Sequence, residues 1–342
     1  MNFKTPSVKR DLRQEITDNI IAALEKGVAP WQKPWQAGAF EMPLNPTSGK
    51  PYRGGNALQL MVSGMSHGYE DPRWITYRQA QENDWQVRKG EKGTQIEFWQ
   101  FPSNQPEGHE DTRDDTPESF RDRYIYRVYT VFNANQIEGI PAHTPRVRQE
   151  WEIIRDAESI LQNSGAQISH DQPDRAFYNR LTDTIHLPPR AAFDSAGTYY
   201  GTALHEAAHW TGAPGRLNRE TLNESYRFGD VEYAKEELRA ELASVFLMAE
   251  RGIPHNPDSH AAYLGSWLKT LSDDKHEIFR AARDAHKAAD LLIALEHHKS
   301  LDQALAHLKD AQSPIETQQI SAEAHSRRAA IMVGNPEIEM EL

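Results

Sequence analysis

His205-Glu-Ala-Ala-His209 sets two imidazoles four positions apart, with a carboxylate beside the first. On a helix that spacing puts both rings on one face, so both can ligate one divalent ion while Glu206 lies alongside the open coordination position. The chemistry this permits is metal-assisted hydrolysis: the ion polarises a carbonyl and activates a water, and Glu206 takes the water's proton.

A third ligand is expected downstream. In Asp230-Val-Glu-Tyr-Ala-Lys-Glu-Glu-Leu-Arg-Ala-Glu-Leu-Ala-Ser-Val-Phe-Leu-Met, Glu237 and Glu241 share a helix face that continues to Ser244, Val245 and Met248. Carboxylates running into an apolar stripe are costly to bury unless each is paired or bound to a cation. Glu237 reads as the metal ligand. Glu241 reads as the acceptor that fixes a histidine tautomer through its free ring N–H, or as the ligand in Glu237's place. The chain has no cysteine, so one Zn²⁺ or another divalent ion per chain must be held by His and carboxylate alone. His186, alone in a strand, reads as a packing residue.

These side chains need two helices and a support. Asp194 or Ser195 is available to cap a helix that ends before Gly212, and Asp230 opens the second. Ala176 to Pro188 reads as a hairpin, and a strand beside the metal helix suits a peptide held by β-augmentation.

The 342 residues suggest two domains. Val8, Leu12, Ile16, Ile20 and Leu24 predict an amphipathic helix stopping at Gly27, and a second helix runs from about Asn56 to Gly64. Trp85 to Trp99 reads as a hairpin whose turn carries Arg88, Lys89 and Lys92, with Ile96 and Phe98 on one face. Residues 101–122 read as an acidic, exposed insertion before a strand from Tyr124 to Asn133. The expected organisation is α+β: a mixed domain over residues 1–140, a Pro-marked linker at 141–150, a largely helical metal domain over 151–310 and a flexible tail at 311–342.

The net charge of -12 disfavours indiscriminate coating of nucleic acid, but it is uneven. Residues 26–100 hold nine Lys and Arg against seven Asp and Glu, net +2, whereas residues 141–342 hold 21 against 31, net -10. Trp31, Trp35, Trp74, Trp85 and Trp99 all fall in the front part. Aromatics interleaved with Lys and Arg suit single-stranded nucleic acid, offering planar faces to bases and cations to phosphates. The beginning of the chain lacks the apolar core of a signal peptide and no apolar run is of spanning length, so a cytoplasmic protein without a membrane partner is expected.

Gly27-Val-Ala-Pro-Trp-Gln-Lys-Pro-Trp, Asn45-Pro-Thr-Ser-Gly-Lys-Pro-Tyr-Arg-Gly-Gly-Asn, Trp74-Ile-Thr-Tyr-Arg-Gln-Ala, Arg88-Lys-Gly-Glu-Lys-Gly, Val131-Phe-Asn-Ala-Asn-Gln and His205-Glu-Ala-Ala-His-Trp-Thr-Gly, in that order, resemble the ArdC-type antirestriction proteins of conjugative plasmids. The resemblance spans most of residues 8–300. It implies an N-terminal single-stranded DNA-binding domain joined to a zincin-like metallopeptidase domain. It also implies that Trp35, Lys50, Tyr52, Arg53 and the turn carrying Arg88, Lys89 and Lys92 lie in the DNA-binding half, and it supports metal roles for His205, His209 and a glutamate of Glu236-Glu-Leu-Arg-Ala-Glu. The expected function is binding of single-stranded DNA and protection of incoming plasmid DNA from restriction. The alternative is a metallopeptidase that cleaves a host protein, with the front domain only localising it to DNA.

Overall fold

A computed structural model describes residues 11–27, 31, 41–100, 125–144, 150–223, 230–253, 264–297 and 300–312. In chain order its helices are α1 (Leu12–Glu25), α2 (Gly54–His67), α3 (Tyr77–Glu82), α4 (Glu150–Asn163), α5 (Ala196–Thr211), α6 (Glu220–Asn223), α7 (Val231–Arg251), α8 (Leu264–Asp273), α9 (Glu277–His297) and α10 (Leu301–Gln312). The strands are β1 (Trp74–Thr76), β2 (Gln86–Val87), β3 (Thr94–Gln100), β4 (Ile125–Asn133), β5 (Ile137–Glu138), β6 (Gln167–Ser169), β7 (Phe177–Asn179) and β8 (Thr184–His186). The fold is mixed α+β, with the sheets of the front part followed by a largely helical back part. Val8, the 101–122 segment and the 313–342 tail lie outside the described residues.

The four-residue spacing of Leu12, Ile16, Ile20 and Leu24 buries all four on one side of α1. The N-cap Asp11 accepts the Gln14 amide at 3.1 Å. That face packs against α8, and Thr17 donates to the Lys275 carbonyl at 2.9 Å. The second helix is longer than its apolar pattern predicts, because no proline interrupts it until Gly68, in the left-handed region at φ 68°, closes it. It packs against α9. By internal contacts Met1–Ile96 and Tyr129–Leu305 form one compact unit, and Glu97–Val128 with Ala306–Leu342 another. Within the second unit the Tyr126 hydroxyl donates to Glu97 at 3.2 Å.

The expected Trp85–Trp99 hairpin is not formed. Its two arms join different sheets: β2 pairs antiparallel with β5, whereas β3 joins β4 in the order β1-β4-β3. The cause is apolar. Val87 is buried with Ile75, Ala80 and Ile137, but Ile96 is buried with Leu60, Trp74 and Val131, and two separate clusters pull the arms apart. The turn between them is tied down from elsewhere, since Gln136 donates to Glu91 at 3.0 Å and to the Lys92 carbonyl at 2.9 Å. Trp31 and Trp74 are core residues, and the Trp31 ring lies 5.9 Å from Trp267.

In the back part β7 and β8 form the expected hairpin, with Asn179 opposite Thr184 and Asp183 at φ 54° in its turn. β6 pairs parallel to β8 on its other side, so β7 is an edge strand. This small sheet lies against α5. α5 and α7 pack on each other and α9 covers α7, which makes α7 the buried axis of the helical part.

Candidate metal centre

α5 begins at Ser195, whose hydroxyl accepts the Thr198 amide at 3.1 Å, and ends at Gly212. Its last two turns are buried throughout, including His205, Glu206 and His209. Four-residue spacing brings the two imidazoles edge to face, with centroids 4.9 Å apart at 79°.

Asp230 caps α7, whose face toward α5 carries Glu236, Glu237 and Glu241, all buried. One Glu237 oxygen lies 3.4 Å from His205 Nε2 and the other 3.5 Å from His209 Nε2. One donor atom from each of the three residues falls within 4.8 Å of the others. Two imidazoles and a carboxylate, converging without a thiolate, are a donor set that fits zinc or a similar divalent ion.

Behind each ring stands a second carboxylate. Glu241 lies 3.6 Å from His205 Nδ1 and Glu236 lies 3.2 Å from His209 Nδ1. Each imidazole thus has its Nδ1 toward a supporting acid and its Nε2 toward Glu237, the arrangement that selects one tautomer and one ring orientation. Glu236 is held most firmly. The Nε of Arg219 donates to both its oxygens at 3.2 and 3.1 Å, and the Thr221 hydroxyl donates at 2.6 Å. Arg219 also bonds the Thr211 hydroxyl and the Ala208 carbonyl of α5, each at 2.7 Å. A Cβ at Gly212 would stand 2.7 Å from that guanidinium, so the glycine makes room for it.

The charges follow from burial and neighbours. Burial opposes ionisation of Glu236, but the Arg219 charge and the bonds from His209 and Arg219 hold its carboxyl down at about 2. Glu237 is likewise lowered against burial by the two imidazoles. Burial opposes the charged form of His209, yet Glu237 and Glu236 raise it to about 9. His205 is raised well above its ordinary value by Glu237 and Glu241 against the same opposition. Glu206 differs: burial raises its carboxyl, partly offset by the imidazoles, and the Tyr178 amide of β7 bonds it. A carboxyl shifted upward is better matched to taking and returning a proton.

Glu236 was expected only as one glutamate of its motif, with no role of its own, and Arg219 and Thr221 were outside the sequence expectation. The Glu236-Glu237 doublet was the available signal for the first, whereas nothing local marks Arg219. His186 does not join the centre: its Nδ1 pairs with Asp171 at 2.9 Å and its ring stacks on Phe177.

The expected DNA-binding residues are dispersed. Trp35 lies outside the described residues. Tyr52 is half-buried, its hydroxyl donating to the Trp74 carbonyl at 3.0 Å, and burial pushes it up to about 12. Arg53 pairs with Asp290 of α9. Arg88 is bonded to Glu91 and to the Asn135 carbonyl, so it braces the turn. Lys50, Lys89 and Lys92 are exposed. Among the described residues no helix is long and apolar enough to cross a membrane.

Residues 155–284 match the family described as zincin-like metallopeptidase, and residues 10–132 match the N-terminal domain of anti-restriction factor ArdC. The solved structures of the antirestriction ArdC protein from plasmid R388, one metal-free and one Mn(II)-bound, are 39% identical with a TM-score of 0.67; the metal-free match covers 84% of this chain and 98% of that one, the Mn(II)-bound match 85% and 100%. A DNA primase TraC of Escherichia coli is 47% identical over 86% of this chain, and a second is 45% identical over 84%. The chain spans only 28% and 20% of the length of those two primases. The y4eC protein of Sinorhizobium fredii is 38% identical over 85% of this chain and 94% of its own length.

Proposed function

The chain belongs to the ArdC-type antirestriction family, and on that premise we propose that it binds single-stranded DNA through residues 1–140 and carries a divalent-metal peptidase centre within residues 151–310. The observation that carries the metal half is the convergence of His205, His209 and Glu237 to within 4.8 Å. In this reading the two Nε2 atoms and Glu237 hold the ion, Zn²⁺ or Mn²⁺, one per chain. The ion supplies Lewis-acid chemistry when bound. Glu241 and Glu236 orient the imidazoles, and Glu206 accepts a proton from a water at the centre and passes it to the leaving group. The Mn(II)-bound relative supports a divalent ion.

The DNA half rests on the match of residues 10–132 to the ArdC N-terminal domain and on the exposed Lys50, Lys89 and Lys92. Covering the single strand would protect entering plasmid DNA from restriction. A second reading, cleavage of a host protein with DNA binding only for localisation, draws on the buried, upshifted Glu206 beside the ligands. Neither reading gives the chain a membrane partner, and both put it in the cytoplasm.

Metal content of the purified chain, with gel shifts on single- and double-stranded oligonucleotides, tests the proposal. Stoichiometric metal lost on changing His205 and His209 together to Ala, with single strands bound in preference to duplex, is the expected result. Full metal retention in the double variant rejects the centre, and equal affinity for both DNA forms rejects the single-strand reading.

A further inference from the structure

The end of α2 folds back on itself. The Gly68 amide donates to the Met65 carbonyl at 3.1 Å and the Tyr69 amide to the Gly64 carbonyl at 2.8 Å, which returns the chain and brings Tyr69 beside His67. The two rings stack 13° from parallel with centroids 5.2 Å apart, and the Tyr69 ring in turn meets Trp74 edge-on at 5.9 Å. Tyr69 packs against the cluster of Leu60, Trp74, Ile96 and Val131, so the stack is rooted in the core. His67 is exposed, yet its Nδ1 donates to the Ser63 carbonyl at 2.8 Å. A carbonyl only accepts, so Nδ1 carries the proton of that bond, and the ring is fixed at two points. An exposed ring held in this way is pre-organised for stacking, because its rotamer freedom is lost before a ligand arrives.

The turn carrying Lys89 and Lys92 runs beside this stack. The Ser63 and Thr94 hydroxyls lie 2.7 Å apart and join α2 to the start of β3. Burial raises the Tyr69 hydroxyl, Glu91 raises it further and Arg88 opposes, which puts the charged groups of the turn within reach of the ring. Most nearby acids are engaged. Glu91 accepts from Arg88 at 2.9 Å and from Gln136 at 3.0 Å, and Asp71 accepts from Arg73 at 2.7 Å. Exposed Glu70 remains, against Lys89 and Lys92, which form no hydrogen bond or ion pair with the described residues. Tyr77 is exposed too, but the cation beside it, Arg78, is paired with Glu82 at 3.0 Å. A planar face flanked by unpaired cations therefore occurs at His67 and not at Tyr77.

We propose that the stacked rings of His67 and Tyr69 form a platform for one unpaired base of a DNA single strand, which stacks on the face of His67 turned away from Tyr69, while Lys89 and Lys92 meet the adjoining phosphates. The inference rests on the reading of the chain as a single-strand binder and gives that reading a site. Stacking on a ring face needs a base freed from its pair and tolerates any base, so the platform selects single strands over duplex with little sequence preference. It belongs to α2 and the turn before β3, whereas the metal ligands belong to α5 and α7.

The test uses the full chain and the anisotropy of a labelled thymidine oligonucleotide. His67→Leu keeps the bulk and loses the ring, His67→Phe keeps a ring, and each is checked for an unchanged melting transition. His67→Leu should bind about fivefold more weakly or worse, and His67→Phe about as well as the native chain. The dependence of affinity on salt should be unchanged in His67→Leu and reduced when Lys89 and Lys92 are both changed to Ala, which separates the base contact from the phosphate contacts. A second measurement needs no variant: an oligonucleotide of 5-iododeoxyuridine, photocross-linked to the native chain, should label the segment 63–69. Single-strand binding that is unaffected in His67→Leu, equally reduced in both His67 variants, or cross-linked only outside that segment overturns the platform and leaves the single-strand reading standing. A native chain that binds no single strand overturns that reading and the platform with it. If the His67 variants misfold, the cross-linked segment decides.

Discussion

The Nδ1 of His209 lies 3.2 Å from Glu236, a carboxylate that is itself gripped by Arg219 and Thr221. The orientation of one proposed metal ligand therefore depends on an arginine from the short segment between α5 and α7. Arg219 reaches its position only because Gly212 has no side chain. The chain of dependence runs from a glycine to a guanidinium, to a carboxylate, to an imidazole.

This chain can be broken at either end. Glu236→Gln removes the charge behind His209 and should weaken divalent metal binding by roughly ten- to a hundredfold, the cost usual for such a supporting partner. Gly212→Ala should act in the same direction by displacing Arg219, and should lower the melting temperature as well, because a buried ion pair loses its geometry. Isothermal titration with Zn²⁺ checks both. Unchanged affinity in Glu236→Gln would show that His209 is oriented without its carboxylate.

Metal binding should depend on pH in a stated direction. In the metal-free protein, burial disfavours the His209 proton, but Glu237 and Glu236 outweigh burial and hold it up to about pH 9. A divalent ion must displace that proton and the one on His205, which is also raised, so apparent affinity should rise as pH is raised from 6 to 9, by up to about tenfold per pH unit for each proton displaced. Competition with a chromogenic chelator across this range measures it. A flat profile would mean that neither imidazole has to lose a proton to bind the ion.

The local part of the site was legible and the assembled part was not. His205, Glu206 and His209 lie within one helical segment, where a four-residue spacing fixes which side chains share a face. Glu237 and Glu241 were readable for the same reason, as an acidic pair continuing into an apolar stripe. Arg219 carried no such sign, because its role comes from packing α5 against α7 rather than from its neighbours in sequence. The Trp85–Trp99 segment failed differently. Alternation and a turn were present, but whether two arms pair with each other depends on which core takes Val87 and which takes Ile96. Composition likewise could not separate Trp31 and Trp74, both buried, from tryptophans available to a ligand.

Stability should fall on mild acidification because of His286. Burial first, and then the Arg53 charge, lower this histidine to about 3, so it stays neutral in the folded chain while the unfolded chain protonates near 6.5. Between those values the unfolded state binds the extra proton. The stabilisation is therefore complete above pH 6.5 and is lost as pH falls toward 3, at up to about 1.4 kcal/mol per unit. His205 and His209, both raised, work the other way and favour the folded state more at lower pH. Urea midpoints of the native chain and His286→Gln at pH 7 and pH 5 isolate the contribution: the native chain should lose more between the two values. Equal losses would mean that His286 is not held neutral.

The two proposed activities should separate. Glu206 is not one of the three converging donors, so Glu206→Ala should keep the metal and abolish any peptide hydrolysis. DNA binding should persist. Lys89 and Lys92 are exposed on a turn that Arg88 braces through Glu91 and Asn135, so the two lysines can be changed to Ala while Arg88 is kept. If each meets a phosphate, the slope of log affinity against log salt should shrink by about 1.4 for single strands. Changing Arg88 as well would also loosen the turn, and would confuse lost charge with lost structure. The decisive readout is protection of transferred DNA in recipient cells. Protection that survives Glu206→Ala and is lost with the lysine pair assigns the effect to covering DNA. Protection lost with Glu206→Ala, in protein that still binds DNA and metal, assigns it to proteolysis.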